Sequence, residues 1–391
     1  MRTSKFAAVA AASLVFVAGI ASAARPLIPA GASDQVPLRL ARLPAPAGDI
    51  ERKPVSFSWA LDPSAALSEP EPFLAESREY WKTVDAAEMV AGVDLPISAR
   101  GALIRVSPAR GAATLKASDL DLLQGGRKTG IAHIAGDAAL QKAGMDVSTG
   151  TQVMKLGDQA GPGRYTLRAA KARGAYVVHV FEPQSDVVLN ARADRNHALA
   201  GNDMRVAISG TRAGNGVRLQ SEALLVAPDG GSRVVPVRAN GYGGLEAVFT
   251  LPDDATTARG LWELQVFGDA DGTPRDARTA FAVGQPTAKF SGIFGHSSAS
   301  LRVSLPVEAA SPGRYEARGT LYATARDGSM RPVSVAHSAA WMQAGKGMLV
   351  LQFAKAHLPR GYGAPYEVRS LELNDQSRMA PLESRARGAR F

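Results

Sequence analysis

The sequence predicts a mainly β protein: an N-terminal mixed α+β domain followed by two immunoglobulin-like antiparallel β-sandwiches. Three observations carry this. Apolar residues alternate with a period of two through the second half of the chain, turn-forming clusters of Gly, Pro and Asp punctuate the alternating runs, and helix start and stop signals are confined to two short stretches. A two-residue period places one row of side chains in a core and the other in water, as a half-buried strand requires. At 391 residues the chain is too long for one small core and suggests two to three domains.

The clearest element is the stretch 198–283, inside a sandwich expected to span 184–285. Met204, Val206 and Ile208 alternate with Arg205 and Ala207, and Leu245, Ala247, Phe249 and Leu251 with Glu246, Val248 and Thr250. Trp262, Leu264 and Val266 follow, then Thr279, Phe281 and Val283. Pro228-Asp229-Gly230-Gly231 supplies a turn, and Gly268 to Thr273 closes a hairpin. The chain has no cysteine, so apolar packing must tie the two sheets, with Trp262 and Phe249 the largest candidates.

At the start, Arg2 and Lys5 precede an apolar run, Phe6 to Ile20, and a small-residue site, Ala21-Ser22-Ala23. This is the pattern of a secretory signal peptide, 1–23, and it implies a periplasmic or secreted protein. No later run reaches the length of a membrane span, so no transmembrane segment is expected after signal removal. Residues 24–50 hold Pro26, Pro29, Pro37, Pro44 and Pro46 among Ala and Gly, which predicts an extended linker. Ordered structure is expected from the strand-like run Pro54-Val55-Ser56-Phe57-Ser58-Trp59, placed in a first domain, 51–183.

In that domain, Asp85 with Glu88 forms a helix-start box and Gly92 a stop, and Asp137 and Gly144 bracket a second short helix, Ala138 to Ala143. Strands are predicted at Ala102 to Val106, Arg164 to Ala169 and Ala175 to Phe181, the last apolar on both faces and therefore central. The third domain, 286–391, alternates again at Leu301, Val303 and Leu305, at Tyr315 to Tyr322, Val333 to Ala340, Met348 to Phe353 and Tyr366 to Leu373. A small echo links all three domains: Gly163-Arg164-Tyr165, Gly260-Leu261-Trp262 and Gly313-Arg314-Tyr315 each open a strand. The basic alternating terminus, Arg385 to Phe391, reads as a frayed tail.

Charge is uneven along the chain. Residues 24–183 carry 19 Lys and Arg against 17 Asp and Glu, 184–285 carry 10 against 12, and 286–391 carry 14 against 7. The surplus in the last third suits an anionic envelope polymer, with Arg360, Arg369 and Arg378 as candidate contacts. The arginines are scattered rather than clustered with aromatics, so no specific nucleic-acid partner is expected.

Catalytic signals are missing. The absence of cysteine removes disulfides, thiolate metal sites and a cysteine nucleophile. His133, His179, His197, His296, His337 and His357 show no helical zinc spacing, and no nucleophile elbow, phosphate loop or dinucleotide fingerprint appears. Gly241-Tyr242-Gly243-Gly244 and Gly361-Tyr362-Gly363 read as flexible loops, Ser297-Ser298 after His296 lacks a third orienting group, and Asp269-Ala270-Asp271-Gly272 reads as a polar turn without the remaining calcium ligands. Four tryptophans spread over three domains give a sugar little to stack on. No catalytic, cofactor-binding or metal-ligating residue is assigned, and no cofactor is expected.

The runs Ser77-Arg78-Glu79-Tyr80-Trp81, Gly101-Ala102-Leu103-Ile104-Arg105, Gly260-Leu261-Trp262-Glu263-Leu264 and Leu371 to Arg378 together resemble a family of exported proteins of Gram-negative bacteria. That family is known only as a domain of unknown function with immunoglobulin-like β-domains. The resemblance implies the fold and the compartment and adds no activity. The middle domain is also similar to the sandwich modules of bacterial surface and macroglobulin-type proteins. The expectation is an exported, non-enzymatic binding or structural protein whose partner is a protein or an anionic envelope polymer. Two alternatives stand beside it: an exported hydrolase with its site in the N-terminal domain, and a partner-holding subunit or inhibitor of another exported protein.

Overall fold

The computed structural model describes residues 24–391 apart from 69, 70, 158, 257 and 258, so the expected signal peptide lies outside the described residues. Buried apolar side chains gather in three clusters, each enclosed by two sheets. The mainly β class holds. Every strand pair among the described residues is antiparallel except His197–Leu199 beside Thr273–Gly284.

In the N-terminal unit one sheet runs Glu79–Asp85, Ala175–Phe181, Leu103–Pro108, Gln152–Leu156, Ile131–Gly136, and the other Val93–Ile97, Gly163–Arg168, Asp121–Gln124, Arg127–Lys128. Ala175–Phe181 is central, as its two apolar faces require, with Tyr176, Val178 and Val180 fully buried. The helix Ala86–Ala91 starts on the expected box: the Glu88 N–H donates to Asp85 Oδ1 and the Asp85 N–H to Glu88 Oε2, both at 2.8 Å. The second helix, Asp137–Lys142, starts one residue earlier than its sequence signal; Gly136 is the cap and Asp137 accepts from the N–H of Gly150 instead.

The middle sandwich behaves as its periodicity demands. Met204, Val206, Ile208, Ala247, Phe249, Leu264, Val266 and Phe281 are all buried, and Phe249 packs on Phe281 at 6.2 Å between ring centroids. The glycine-aromatic echo acquires a geometric meaning. Tyr165 Oη donates to the carbonyl of Gly161 at 2.6 Å and Tyr315 Oη to that of Ser311 at 2.7 Å, each reaching back four residues. Trp262 makes a longer tie with its indole N–H, seven residues back to the carbonyl of Ala255 at 2.8 Å. In each domain a buried ring thus ties a strand start to the loop before it.

Three expectations are overturned. Residues 24–50 are extended but they are no free linker. Arg25–Pro26 pairs with Ile293–Ser297, Leu27 enters the C-terminal core, and Gln35 exchanges two backbone hydrogen bonds with Ser384. Prolines deprive this segment of N–H donors for a continuous ladder, so side chains of the domains take up its backbone groups instead. Asn202 accepts from the N–H of Leu38 and donates to the carbonyl of Val36, and Ser311 accepts from the N–H of Leu43 and donates to the carbonyl of Ala41.

The strand expected to open the first domain, Val55–Ala60, lies at the edge of the C-terminal sheet beside Met330–Met342. Leu74–Ser77 then pairs with Val187–Ala193 of the middle sandwich before the chain enters the N-terminal unit. The path is therefore nested. Its first segments complete the last sandwich, the next completes the middle one, and the N-terminal unit is formed by what lies between.

The terminus is not frayed. Ala380–Arg390 pairs along Gly363–Asp375, and Phe391 exchanges two backbone hydrogen bonds with Tyr366. Gly388 and Ala389 face inward, while Arg385 and Arg387 meet the buried carboxylates of Glu383 and Glu367 at 2.7 Å. Hydrogen bonding from Arg387 holds the Glu367 carboxyl below its usual range, whereas burial pushes Glu383 up.

Candidate ligand groove

A concavity of about 730 Å³ lies on the outer face of the middle sandwich. Alternation builds its floor. Leu189, Ala191 and Ala193 turn into the core, so Asn190 and Arg192 point outward. On the adjoining strand Asp203–Arg212 the buried Val206 and Ile208 leave Ala207, Ser209 and Thr211 outward. Asn190 and Ser209 are opposite one another in register.

Two glycine-rich loops form the walls. In the first, Asn240 Oδ1 accepts from the N–H groups of Tyr242 at 2.9 Å and Gly244 at 3.1 Å, while Gly241 and Gly243 take positive φ of 77° and 84°. These conformations are open to glycine at little cost, and the turn they make lifts Tyr242 into solvent, where it is 95 % exposed. In the second, a turn through Ala213 and Gly214 brings Gly216, Val217 and Arg218 over Gly210, where an added Cβ would stand 3.2 Å from Val217 Cγ2.

The electrostatics differ from those of the surrounding domain. Asp and Glu outnumber Lys and Arg in residues 184–285, yet the described residues lining the groove include two arginines and no carboxylate. Arg192 meets the exposed Glu71 at 2.9 Å, and Arg218 has no ion pair among the described residues. Glu76 is the register neighbour of Asn190 on Leu74–Ser77, just outside the lining. Asn190 Oδ1 is buried without a hydrogen-bond partner among the described residues, a costly state for an amide oxygen.

The residues singled out from the sequence are scattered. Arg360 is exposed on a loop, but Arg369 binds Glu367 at 2.8 Å and covers the Tyr322 ring at 4.3 Å. Arg378 is tied to Asp375 and to the carbonyl of Pro44. Arginines of the last third thus serve to join segments. The histidines stay apart: His179 pairs with Glu79 at 2.8 Å, His337 with Glu316 at 2.6 Å, and no group of three His, Asp or Glu side chains converges as a metal cage among the described residues. Asp269 accepts from the N–H of Gly272 at 2.7 Å, an ordinary turn.

The nested path assembles an aromatic stack: Phe57 and Trp59 lie against His337, with ring centroids 5.0 and 5.1 Å away. Between the two later sandwiches lies a crevice of about 330 Å³ lined by Arg195, His197, Glu372 and Glu383 among others. Burial lowers the basicity of His197, and Glu383 is engaged by Arg385 and the N–H of Phe290. Sequence reasoning missed Asn190, Arg192 and Arg218 and dismissed Tyr242 as loop. The one available signal was an aromatic residue isolated among three glycines.

Comparison with known proteins places the chain. Models for the N-terminal and C-terminal domains of a domain of unknown function (DUF4785) match residues 46–182 and 287–390. No curated protein matches. A crystal structure of a DUF4785 family protein from Legionella pneumophila aligns at 18 % identity and TM-score 0.61, over 90 % of this chain and 98 % of that one, which speaks to fold alone. Trypsin-activated alpha-2-macroglobulin from Escherichia coli aligns at 13 % identity and TM-score 0.23, over 80 % of this chain and 22 % of that one. The Escherichia coli adhesin FdeC aligns at 11 % identity and TM-score 0.19, over 81 % and 99 %. The last two scores are too low to bear on the fold. With its N- and C-terminal portions matched and the whole architecture shared with a solved member, the chain belongs to the DUF4785 family of bacterial proteins.

Proposed function

We propose that this is an exported, non-enzymatic binding protein of the bacterial envelope or extracellular space, with its ligand site in the groove of the middle sandwich. The signal-like N-terminus supports the compartment, and no helix among the described residues is long and apolar enough to cross a membrane. The single observation that carries the binding site is the concavity itself: an outer sheet face walled by two loops and lined by apolar side chains such as Leu74, Val217 and Leu219 together with amides, hydroxyls, two arginines and one ring, with no acid or histidine among the described lining residues. Such a surface can hold a polar ligand and supplies no general acid–base pair.

A thermal-shift panel of soluble envelope polymers against the mature chain tests this, since a ligand of the native state raises its melting temperature. Ser209→Trp fills the groove floor from an exposed position and leaves the core untouched. The expected result is a ligand-induced rise that disappears in S209W while the unliganded melting temperature stays put. A rise that persists unchanged in S209W places the ligand elsewhere and ends this reading.

A further inference from the structure

We infer that the groove takes an acidic saccharide, a chain of sugar rings bearing carboxylates of the uronic-acid kind; this rests on the groove being the ligand site. Each unfulfilled group in it asks for one feature of such a ligand. Arg218, exposed and without an ion pair among the described residues, calls for an anion. Arg192 is already held by Glu71, whose side chain is 77 % exposed and readily exchanged for a ligand carboxylate. Among the described residues the only carboxylate in contact with the groove's arginines is that of Glu71, although Asp and Glu outnumber Lys and Arg in its domain.

Charge alone would admit any polyanion, and two further groups narrow the choice. The first is the polar floor, on which the Asn190 carboxamide faces outward, its Oδ1 shielded and without a partner among the described residues. Ser209 and Thr211, outward on the same floor, and the Asn240 amide on the wall add exchangeable donors and acceptors. A ligand dense in hydroxyls meets all of these together. Tyr242 offers a ring with almost all of its surface in water, held up by the Asn240 turn on a backbone of glycines. A flat aromatic face beside convergent polar groups suits the apolar face of a pyranose ring. A simple inorganic anion would gain nothing from it.

The test is titration calorimetry on the mature chain with polygalacturonate, with its fully methyl-esterified form, and with inorganic polyphosphate, each at low and high salt. Polygalacturonate is expected to bind, with affinity falling as salt rises. Arg218→Ala is expected to weaken it by about tenfold and to flatten the salt dependence, as loss of one charge-assisted contact implies. Tyr242→Ala is expected to weaken it without changing the salt slope. Both substitutions are at exposed loop positions, and unchanged melting temperatures confirm that the variants are folded. Esterified chain binding as well as the acid overturns the uronate assignment while leaving the groove a saccharide site. Polyphosphate binding equally well, with no effect of Y242A, overturns it in favour of bare charge attraction. Polygalacturonate binding that S209W does not touch defeats the groove reading itself.

Discussion

The guanidinium of Arg275 and the carboxylate of Glu182 meet at 2.7 Å with both side chains wholly shielded from solvent, where the N-terminal unit joins the middle sandwich. Every partner they need is present. Glu182 accepts from the N–H groups of Ser98 and Ala99, and Arg275 donates to the carbonyls of Val187 and Pro274 and to the hydroxyls of Ser98 and Ser185. A buried charge is tolerated on those terms. The Trp81 ring on the Phe267 edge, with Arg278 at 4.5 Å over its face, extends the same junction.

Removing one partner leaves the other charged and buried. Glu182→Ala is therefore expected to cost about 3–5 kcal/mol, read as a fall in the denaturant midpoint of the two joined units. Replacing both residues, Glu182→Leu with Arg275→Met, is expected to recover much of that loss. A double variant no better than the single one would show that the surrounding hydrogen bonds, not the uncompensated charge, set the cost.

Asp276 adds a pH dependence at this junction. Its carboxyl accepts from the N–H of Trp81 at 2.7 Å, yet burial raises its pKa from 3.8 to about 6. The folded state holds this proton more tightly than the unfolded state, so the stabilisation is complete below pH 3.8 and is lost as pH rises through about 6. His197 works in the opposite sense, because burial keeps it neutral and its contribution falls away as pH drops below 6.5. Subtracting Asp276→Asn from the parent isolates the first group. The difference between their unfolding free energies is expected to change steeply between about pH 4 and about pH 6 and to be flat above that window.

The tyrosine corners give a paired prediction. Tyr165→Phe and Tyr315→Phe each strand a carbonyl that a buried hydroxyl now satisfies, at an expected cost of about 1 kcal/mol. They lie in separate cores, so the double variant should show the sum of the two. Equilibrium unfolding of the single and double variants checks both magnitude and additivity.

The nested path predicts that the start of the mature chain stabilises its far end. Leu27 is 5 % exposed within the C-terminal core, and Leu27→Ala is expected to cost about 2–5 kcal/mol there. Amide exchange along Ile293–Ser297 should accelerate, while Ala175–Phe181 in the N-terminal unit keeps its protection. Faster exchange in both would mean that the domains open together.

Much of the strand pattern was legible because burial on one face of a sheet writes itself as alternation. Met204, Val206 and Ile208 announced their strand, and Tyr176, Val178 and Val180 announced a central one. The Asp85–Glu88 box marked a helix start for an equally local reason. Val55–Ala60 misled because it is exposed along nearly its whole length and is held by its backbone bonds and the stack on His337. Nothing in its own side chains says which sheet it joins. The groove escaped notice because Asn190, Arg192, Arg218 and Tyr242 are polar or loop residues from separate segments, and outward polar positions carry no periodic mark of what faces them.

By itself the sequence determined the mainly β class of the protein, the alternation of its buried strands and the absence of thiol chemistry, since these follow from local pattern and composition. Tertiary structure alone decided that residues 25–60 complete the last sandwich, that the C-terminal arginines are bound to buried carboxylates, and that four distant polar side chains share one groove. The physical reason is the range of the forces involved. Burial of a strand face is settled within a few neighbouring residues, whereas edge pairing and charge pairing depend on which segments the folded chain brings side by side.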